Sequence, residues 1–152
     1  MNSLIDAYLA GPRLLRVALQ GMTEEQINAA PILGKWSTQQ VVCHIADFEP
    51  VYADRMKRVL AEENPTMFGG DPDLFATRLA YDARVIEDEL LMIEAVRRHM
   101  GRIIKTLKPE DFQRKGIHSE RGPITLEELL TGITNHIPHH VRFIEEKRAA
   151  LV

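Results

Sequence analysis

Several features that would place this chain in a familiar functional class are missing from its sequence. Among 152 residues there is one cysteine, Cys43, so no internal disulfide can form, and we expect a reducing, cytoplasmic setting. The 19 lysines and arginines are outweighed by 22 aspartates and glutamates, and no basic tail indicates nucleic-acid binding. No stretch approaches the roughly 18 apolar residues of a membrane span, and we expect no signal peptide and no membrane partner.

The hydrophobic residues that are present have a helical pattern. They make up 45% of the chain, enough for one compact domain over residues 1–152 with a full core. They recur at helical spacing in four long stretches, and no convincing strand pattern is found. The sequence therefore predicts an all-α fold, a four-helix bundle. The long second connection, from Asn64 to Asp73, would permit a crossover.

Capping residues mark where the predicted helices begin. Ser37 and Gln40 form a capping box ahead of the second long helix. Thr125 and Glu128 form another ahead of the fourth. Ser3 is the expected cap of the first helix.

Other boundaries and bends are less sharply marked. Gly11-Pro12 predicts a kink or a restart in the first helix, whereas Pro50 and Pro138 should bend their helices without ending them. The third helix should begin at Leu74 or at Asp82. The segment 113–124 forms either a small hairpin or an irregular loop.

The most informative stretch is residues 136–140, which hold three of the six histidines. In a helix, His136 and His140 lie on one face, a turn apart, where both imidazoles can reach one ion. Isoleucines on or beside that face turn the pair toward the core. A third ligand must come from elsewhere, and His44 on the second long helix is the best candidate. Three neutral imidazoles suit zinc or nickel and leave positions for water or substrate.

A simpler interpretation remains open for these histidines. A histidine on an apolar helix face is often a hydrogen-bonded core residue, so the bundle could lack a metal. Two buried imidazoles that face each other are nevertheless costly without a proton or a metal between them. Asp47, three residues after His44, is the candidate catalytic carboxylate, bonded to an imidazole or to a metal-bound water. We expect His139 on the helix flank and His99 and His118 in solvent.

Three motifs together resemble the DinB/YfiT-like family. They are Gly34-Lys35-Trp36-Ser37, then His44-Ile45-Ala46-Asp47, then the stretch from Leu129 to the terminal histidines. The resemblance covers nearly the whole chain in order and spacing. It implies a four-helix bundle, a divalent metal on His44, His136 and His140, and a homodimer. Many members have Gly-Gln after the last histidine, where this chain has Val141-Arg142.

The resemblance also implies a class of reaction. The better understood relatives are transferases or isomerases that use low-molecular-weight thiols such as bacillithiol, mycothiol or glutathione. The expected partners are therefore a small thiol and a small electrophile, with the metal lowering the pKa of the bound thiol. Cys43 is expected to be a packing residue, so the thiol comes from outside. Two alternatives are a metal-dependent hydrolase and a non-catalytic metal-binding protein induced by stress or damage.

Overall fold

The computed structural model describes residues 1–151 and is dominated by four long α-helices. The long helices are α1 (Asn2–Leu19), α3 (Thr38–Ala61), α5 (Ile86–Ile104) and α6 (Leu126–Ala150). Two short helices lie between them, α2 (Glu24–Asn28) and α4 (Pro72–Arg78). Over residues 1–151, every helix is too short or too polar to cross a membrane.

The order of the long helices around the bundle is not sequential. Helix α1 packs mainly against α5 and α6, and α3 packs mainly against the same two helices. Helices α1 and α3 therefore occupy one diagonal of the bundle, and α5 and α6 occupy the other. The crossover allowed by the sequence is present, but it is the first and third connections that cross the bundle, not the second.

A small sheet closes one end of the bundle. Strands β2 (Lys115–His118) and β3 (Gly122–Thr125) form an antiparallel hairpin, and β1 (Thr66–Met67) pairs with β2 in parallel. The hairpin alternative is thus confirmed. Strands of two to four residues are too short to show a periodic pattern in the sequence.

His118 lies in this sheet and not in solvent as predicted. It is buried on β2, and its Nδ1 accepts a hydrogen bond from the backbone N–H of Glu120 at 3.2 Å. Successive residues of a strand face opposite sides, so His118 and Gly116 both face the interior. The prediction of an exposed His118 was wrong because it treated the residue as part of a turn-rich loop, whereas His118 lies on a strand of the hairpin.

Both capping boxes form. The Ser37 hydroxyl accepts from the backbone N–H of Gln40 at 3.1 Å, and the Gln40 side chain accepts from the Ser37 N–H at 2.9 Å. Thr125 and Glu128 repeat this exchange at 3.1 and 2.7 Å. The predicted cap at Ser3 was wrong, because α1 begins at Asn2 without a side-chain cap.

The two confirmed caps predict a measurable stability loss. Ser37→Ala and Thr125→Ala should each lower the free energy of unfolding by about 0.5–2 kcal/mol, since each leaves a helix N–H without its acceptor. Urea denaturation measures the change. Ser3→Ala is the matched control and should stay within about 0.5 kcal/mol of the parent. Equal values for all three variants would mean that the caps do not stabilise these helices.

Helix α5 begins at Ile86, later than either predicted start. The segment from Leu74 belongs to the separate helix α4, which Asp71 caps. Ala80 then takes a left-handed conformation, with φ of 52°, ahead of a 3₁₀ turn over Tyr81–Ala83. That left-handed residue cannot belong to a continuous α-helix, so the chain restarts after it.

Helix α1 runs through Gly11-Pro12 without a restart, because a buried arginine docks there. Pro12 has no N–H, so the carbonyl of Tyr8 lacks its helical donor. Arg97 fills that place, its Nη1 donating to the Tyr8 oxygen at 2.7 Å. A Cβ at position 11 would collide with the Arg97 guanidinium, which explains the glycine.

Arg97 ties the four long helices together. It lies on α5 with 1% of its surface exposed. Its Nε and Nη2 donate to Glu49 Oε1 on α3 at 2.9 and 2.6 Å, and Nη2 also donates to the Ile133 carbonyl on α6 at 2.7 Å. Burial raises the pKa of Glu49, and the charge of Arg97 opposes that rise. One side chain therefore fixes the relative positions of α1, α3, α5 and α6.

Candidate metal centre

The packing of α3 against α6 brings His44, His136 and His140 together. His44 Nε2 lies 3.0 Å from His136 Nε2. One ring nitrogen from each of the three residues lies within 4.8 Å of the others. The i, i+4 spacing on α6 thus places both imidazoles toward the same histidine of α3, as the sequence predicted.

These three residues fit a divalent ion. Zinc binds imidazole nitrogen at about 2.0–2.1 Å, so two nitrogens on a tetrahedral ion lie about 3.3 Å apart, close to the observed separation. Among residues 1–151, the cluster contains no fourth histidine, cysteine or carboxylate. Three imidazole donors without a fourth protein ligand are typical of a catalytic zinc site, where water or substrate completes the coordination.

Burial keeps the three imidazoles neutral. It lowers the pKa of His44 to about 4, that of His136 to about 2 and that of His140 to about 3. For His136 and His140, repulsion from the other imidazoles lowers the pKa further. A neutral imidazole has a free lone pair, so the protein holds these side chains at pH 7 in the state that a metal requires.

Aromatic packing orients the imidazoles. The ring centroid of His44 lies 5.3 Å from that of Trp36 and 4.7 Å from that of Phe48. The ring of His140 lies 5.7 Å from that of Phe143. Over the described chain, the Nδ1 atoms of the three histidines have no hydrogen-bond partner. Ring orientation here depends on packing, and not on the carboxylate or carbonyl that often supports a ligating histidine.

Asp47 does not make the expected hydrogen bond to an imidazole. Its carboxylate accepts two hydrogen bonds from Arg84 Nη1, at 2.9 and 3.1 Å, and Arg84 also pairs with Glu89. The guanidinium binds Asp47 to the segment that precedes α5, and Asp47 forms no hydrogen bond with His44 Nδ1. A role for Asp47 with a metal-bound water stays a prediction.

A cleft of about 350 Å³ opens beside His140, and it contains residues that sequence reasoning missed. Its side chains come mainly from the loop before α3, from α4 and from the end of α6. They include Lys35, Trp36, Asp73, Phe143, Glu146 and Lys147.

Asp73 lines this cleft, and its charge affects the pKa of His44. Phe75 packs on Phe48, with ring centroids 5.4 Å apart, and this contact places α4 close to His44. Burial lowers the pKa of His44, while the negative charges of Asp47 and Asp73 oppose that change. The sequence had no signal for this role, because Asp73 lies at the end of a stretch that we interpreted as a connection.

The remaining histidines and the cysteine lie outside the cluster. His139 is exposed on the flank of α6, where its Nδ1 lies 3.2 Å from Arg142, and His99 is exposed on α5, as predicted. Cys43 is fully buried, and burial raises the pKa of its thiol to about 12. The chain therefore has no thiolate to offer at neutral pH.

Comparison with known proteins identifies the family of the chain. The sequence model of the DinB superfamily matches residues 7–144. A protein of Oceanobacillus iheyensis named "Putative metal-dependent hydrolase" is 30% identical over 144 residues, covering 95% of this chain and 83% of that protein. One of the same name from Bacillus licheniformis is 29% identical over 140 residues, covering 90% of this chain and 78% of that protein.

A solved structure has the same fold. YfiT from Bacillus subtilis superposes with a TM-score of 0.92 at 25% identity, covering 99% of this chain and 86% of that chain. It is described as "a probable metal-dependent hydrolase with an unusual four-helix bundle topology". The diagonal arrangement of α1 and α3 fits that description of the topology.

Proposed function

This chain belongs to the DinB superfamily, and on that premise we propose that it is an enzyme that holds one divalent ion on His44, His136 and His140. The observation that carries the proposal is the convergence of three neutral imidazoles from α3 and α6, that of His44 buried and those of His136 and His140 half-buried. Imidazole donors favour zinc or nickel over magnesium or calcium, which prefer oxygen ligands.

The residues around the ion have separate tasks in this proposal. With three neutral ligands a bound divalent ion would keep its double charge and would lower the pKa of a water or thiol bound to it. The carboxylate of Asp73 would accept the proton that this water or thiol loses. Trp36 and Phe143 line the cleft and hold the substrate beside His140. Asp73, rather than Asp47, takes the part of the base because Arg84 already occupies the Asp47 carboxylate.

Hydrolysis is the first reaction that we propose, with water as the nucleophile. The names of the relatives from Oceanobacillus iheyensis and Bacillus licheniformis support it. Transfer of a small thiol onto an electrophile is the second. The cleft beside His140 is large enough for a small thiol, and the buried, protonated Cys43 leaves the thiol to come from outside the chain. A homodimer and a cytoplasmic location are further expectations that accompany this proposal.

Paired assays test both reactions. Metal-loaded protein should hydrolyse 4-nitrophenyl acetate if water is the nucleophile, or join glutathione to 1-chloro-2,4-dinitrobenzene if a thiol is. Metal-stripped protein and His140→Ala should fall to the background rate in the active assay. Equal rates in all three preparations, in both assays, would leave the non-catalytic metal-binding alternative.

Replacing Asp73 tests the proposed base. Asp73→Asn should lower kcat by about 10²–10⁴, the usual contribution of a positioned base, while metal content stays unchanged. Asp88→Asn on the exposed face of α5 is the matched control and should keep the parent rate. A loss seen in Asp47→Asn and absent from Asp73→Asn would assign the role to Asp47 instead.

A further inference from the structure

The cleft beside His140 contains a buried cation, and from it we propose that the substrate is a small organic anion whose charged group binds Lys147. The inference rests on the proposed function, since the reacting part of the substrate would lie at the metal centre.

Lys147 is buried and forms no salt bridge, and the opposing charge that acts on it is that of the exposed Glu146. It lies on α6, two turns beyond His140, with 4% of its surface exposed. Its ammonium donates to the Phe143 carbonyl at 3.2 Å and stands over the Phe143 ring, 5.8 Å from the centroid. Within residues 1–151 no carboxylate oxygen lies within salt-bridge distance of it.

Such a lysine is unusual. An ammonium carries three donor protons, and a fully buried lysine is normally paired with an acid. Arg97 illustrates the usual arrangement, because Glu49 accepts its charge inside the bundle. A buried charge without a partner is unfavourable, and an anion that enters the cleft would remove that penalty.

The other walls of the cleft define the rest of the ligand. Trp36 and Phe143 supply apolar surface, and Lys35 adds a second positive charge where the cleft meets solvent. Asp73 and Glu146 also line the cleft, but both are exposed, where water and salt weaken their repulsion of an anion. The volume of about 350 Å³ is in the usual range of small-molecule sites. The site therefore suits an anion with an apolar body.

The single tryptophan allows a direct test, because Trp36 lines the cleft and its fluorescence reports on binding there. The probes are 4-nitrobenzoate and its uncharged isostere 4-nitrobenzamide, both quenchers of indole. Metal-free parent protein should bind the benzoate about tenfold more tightly than the amide, the contribution of one charge-assisted hydrogen bond. Lys147→Met should lose this preference, and Lys147→Arg should keep it. Lys115→Met, at an exposed position on β2, is the matched control.

The outcomes separate this inference from the proposed function. The inference would be overturned if Lys147→Met bound 4-nitrobenzoate with the affinity of the parent protein. It would also be overturned if only metal-loaded protein preferred the benzoate to the amide and this preference persisted in Lys147→Met. If Lys147→Met still binds one metal ion per chain, that failure leaves the proposed function intact. A preference in protein that takes up no metal would support Lys147 as the anion site while overturning the proposed metal centre.

Discussion

Arg97→Met is expected to lower the free energy of unfolding by about 3–5 kcal/mol, the usual effect of removing one member of a buried ion pair. The change leaves Glu49 buried without its cation and the carbonyl of Tyr8 without a donor, and it removes the hydrogen bond to the Ile133 carbonyl. It also removes a side chain that bonds α5 to the other three long helices. Chemical denaturation followed by circular dichroism measures the loss.

Two further variants make this result specific. Arg98→Met removes an exposed arginine one position away and should change the free energy by no more than about 0.5 kcal/mol. The double variant Arg97→Met with Glu49→Leu should recover much of the loss, because no buried charge then lacks a partner. A loss below about 1 kcal/mol for Arg97→Met alone would contradict the role given to this ion pair.

Removal of metal should have the second large effect. An ion that binds only the folded protein stabilises it by about 2.7 kcal/mol when its free concentration is 100 times Kd. For a chain of this size that corresponds to roughly 5–11 °C in Tm. Differential scanning fluorimetry of the parent protein in zinc and in chelator should show this difference.

Two histidine variants show which site is responsible for the rise of Tm in zinc. His140→Ala should lose the response of Tm to zinc, since two imidazoles bind the ion weakly. His99→Ala, on the exposed face of α5, should keep it. A zinc response of unchanged size in His140→Ala would place the stabilising ion elsewhere on the protein.

The features that sequence reasoning predicted well are set by neighbours along the chain. The capping box at Ser37 depends on a residue three positions away, and the shared face of His136 and His140 depends only on helical geometry. His44 was placed opposite that pair by its apolar helix face and by the family resemblance. Such local rules, with that resemblance, were enough to predict the bundle and to nominate the three histidines.

The features that it missed depend on distant residues. Gly11-Pro12 looked like an interruption because the docking arginine, Arg97, comes from another helix. Asp47 looked free to support an imidazole because nothing in the sequence showed that Arg84 would reach it. Lys147 follows an ordinary helical pattern, and its burial arises only when the helix is packed into the bundle. Contacts between side chains of different helices could therefore be identified only from the structure.

The central claim is that His44, His136 and His140 hold one metal ion. The most direct measurement is the zinc-to-protein ratio, by plasma mass spectrometry, after reconstitution and removal of free metal. We predict one ion per chain in the parent protein and in His99→Ala, and a ratio near zero in His44→Ala, His136→Ala and His140→Ala. A parent protein that retains no metal, or full retention in all three cluster variants, would contradict the claim.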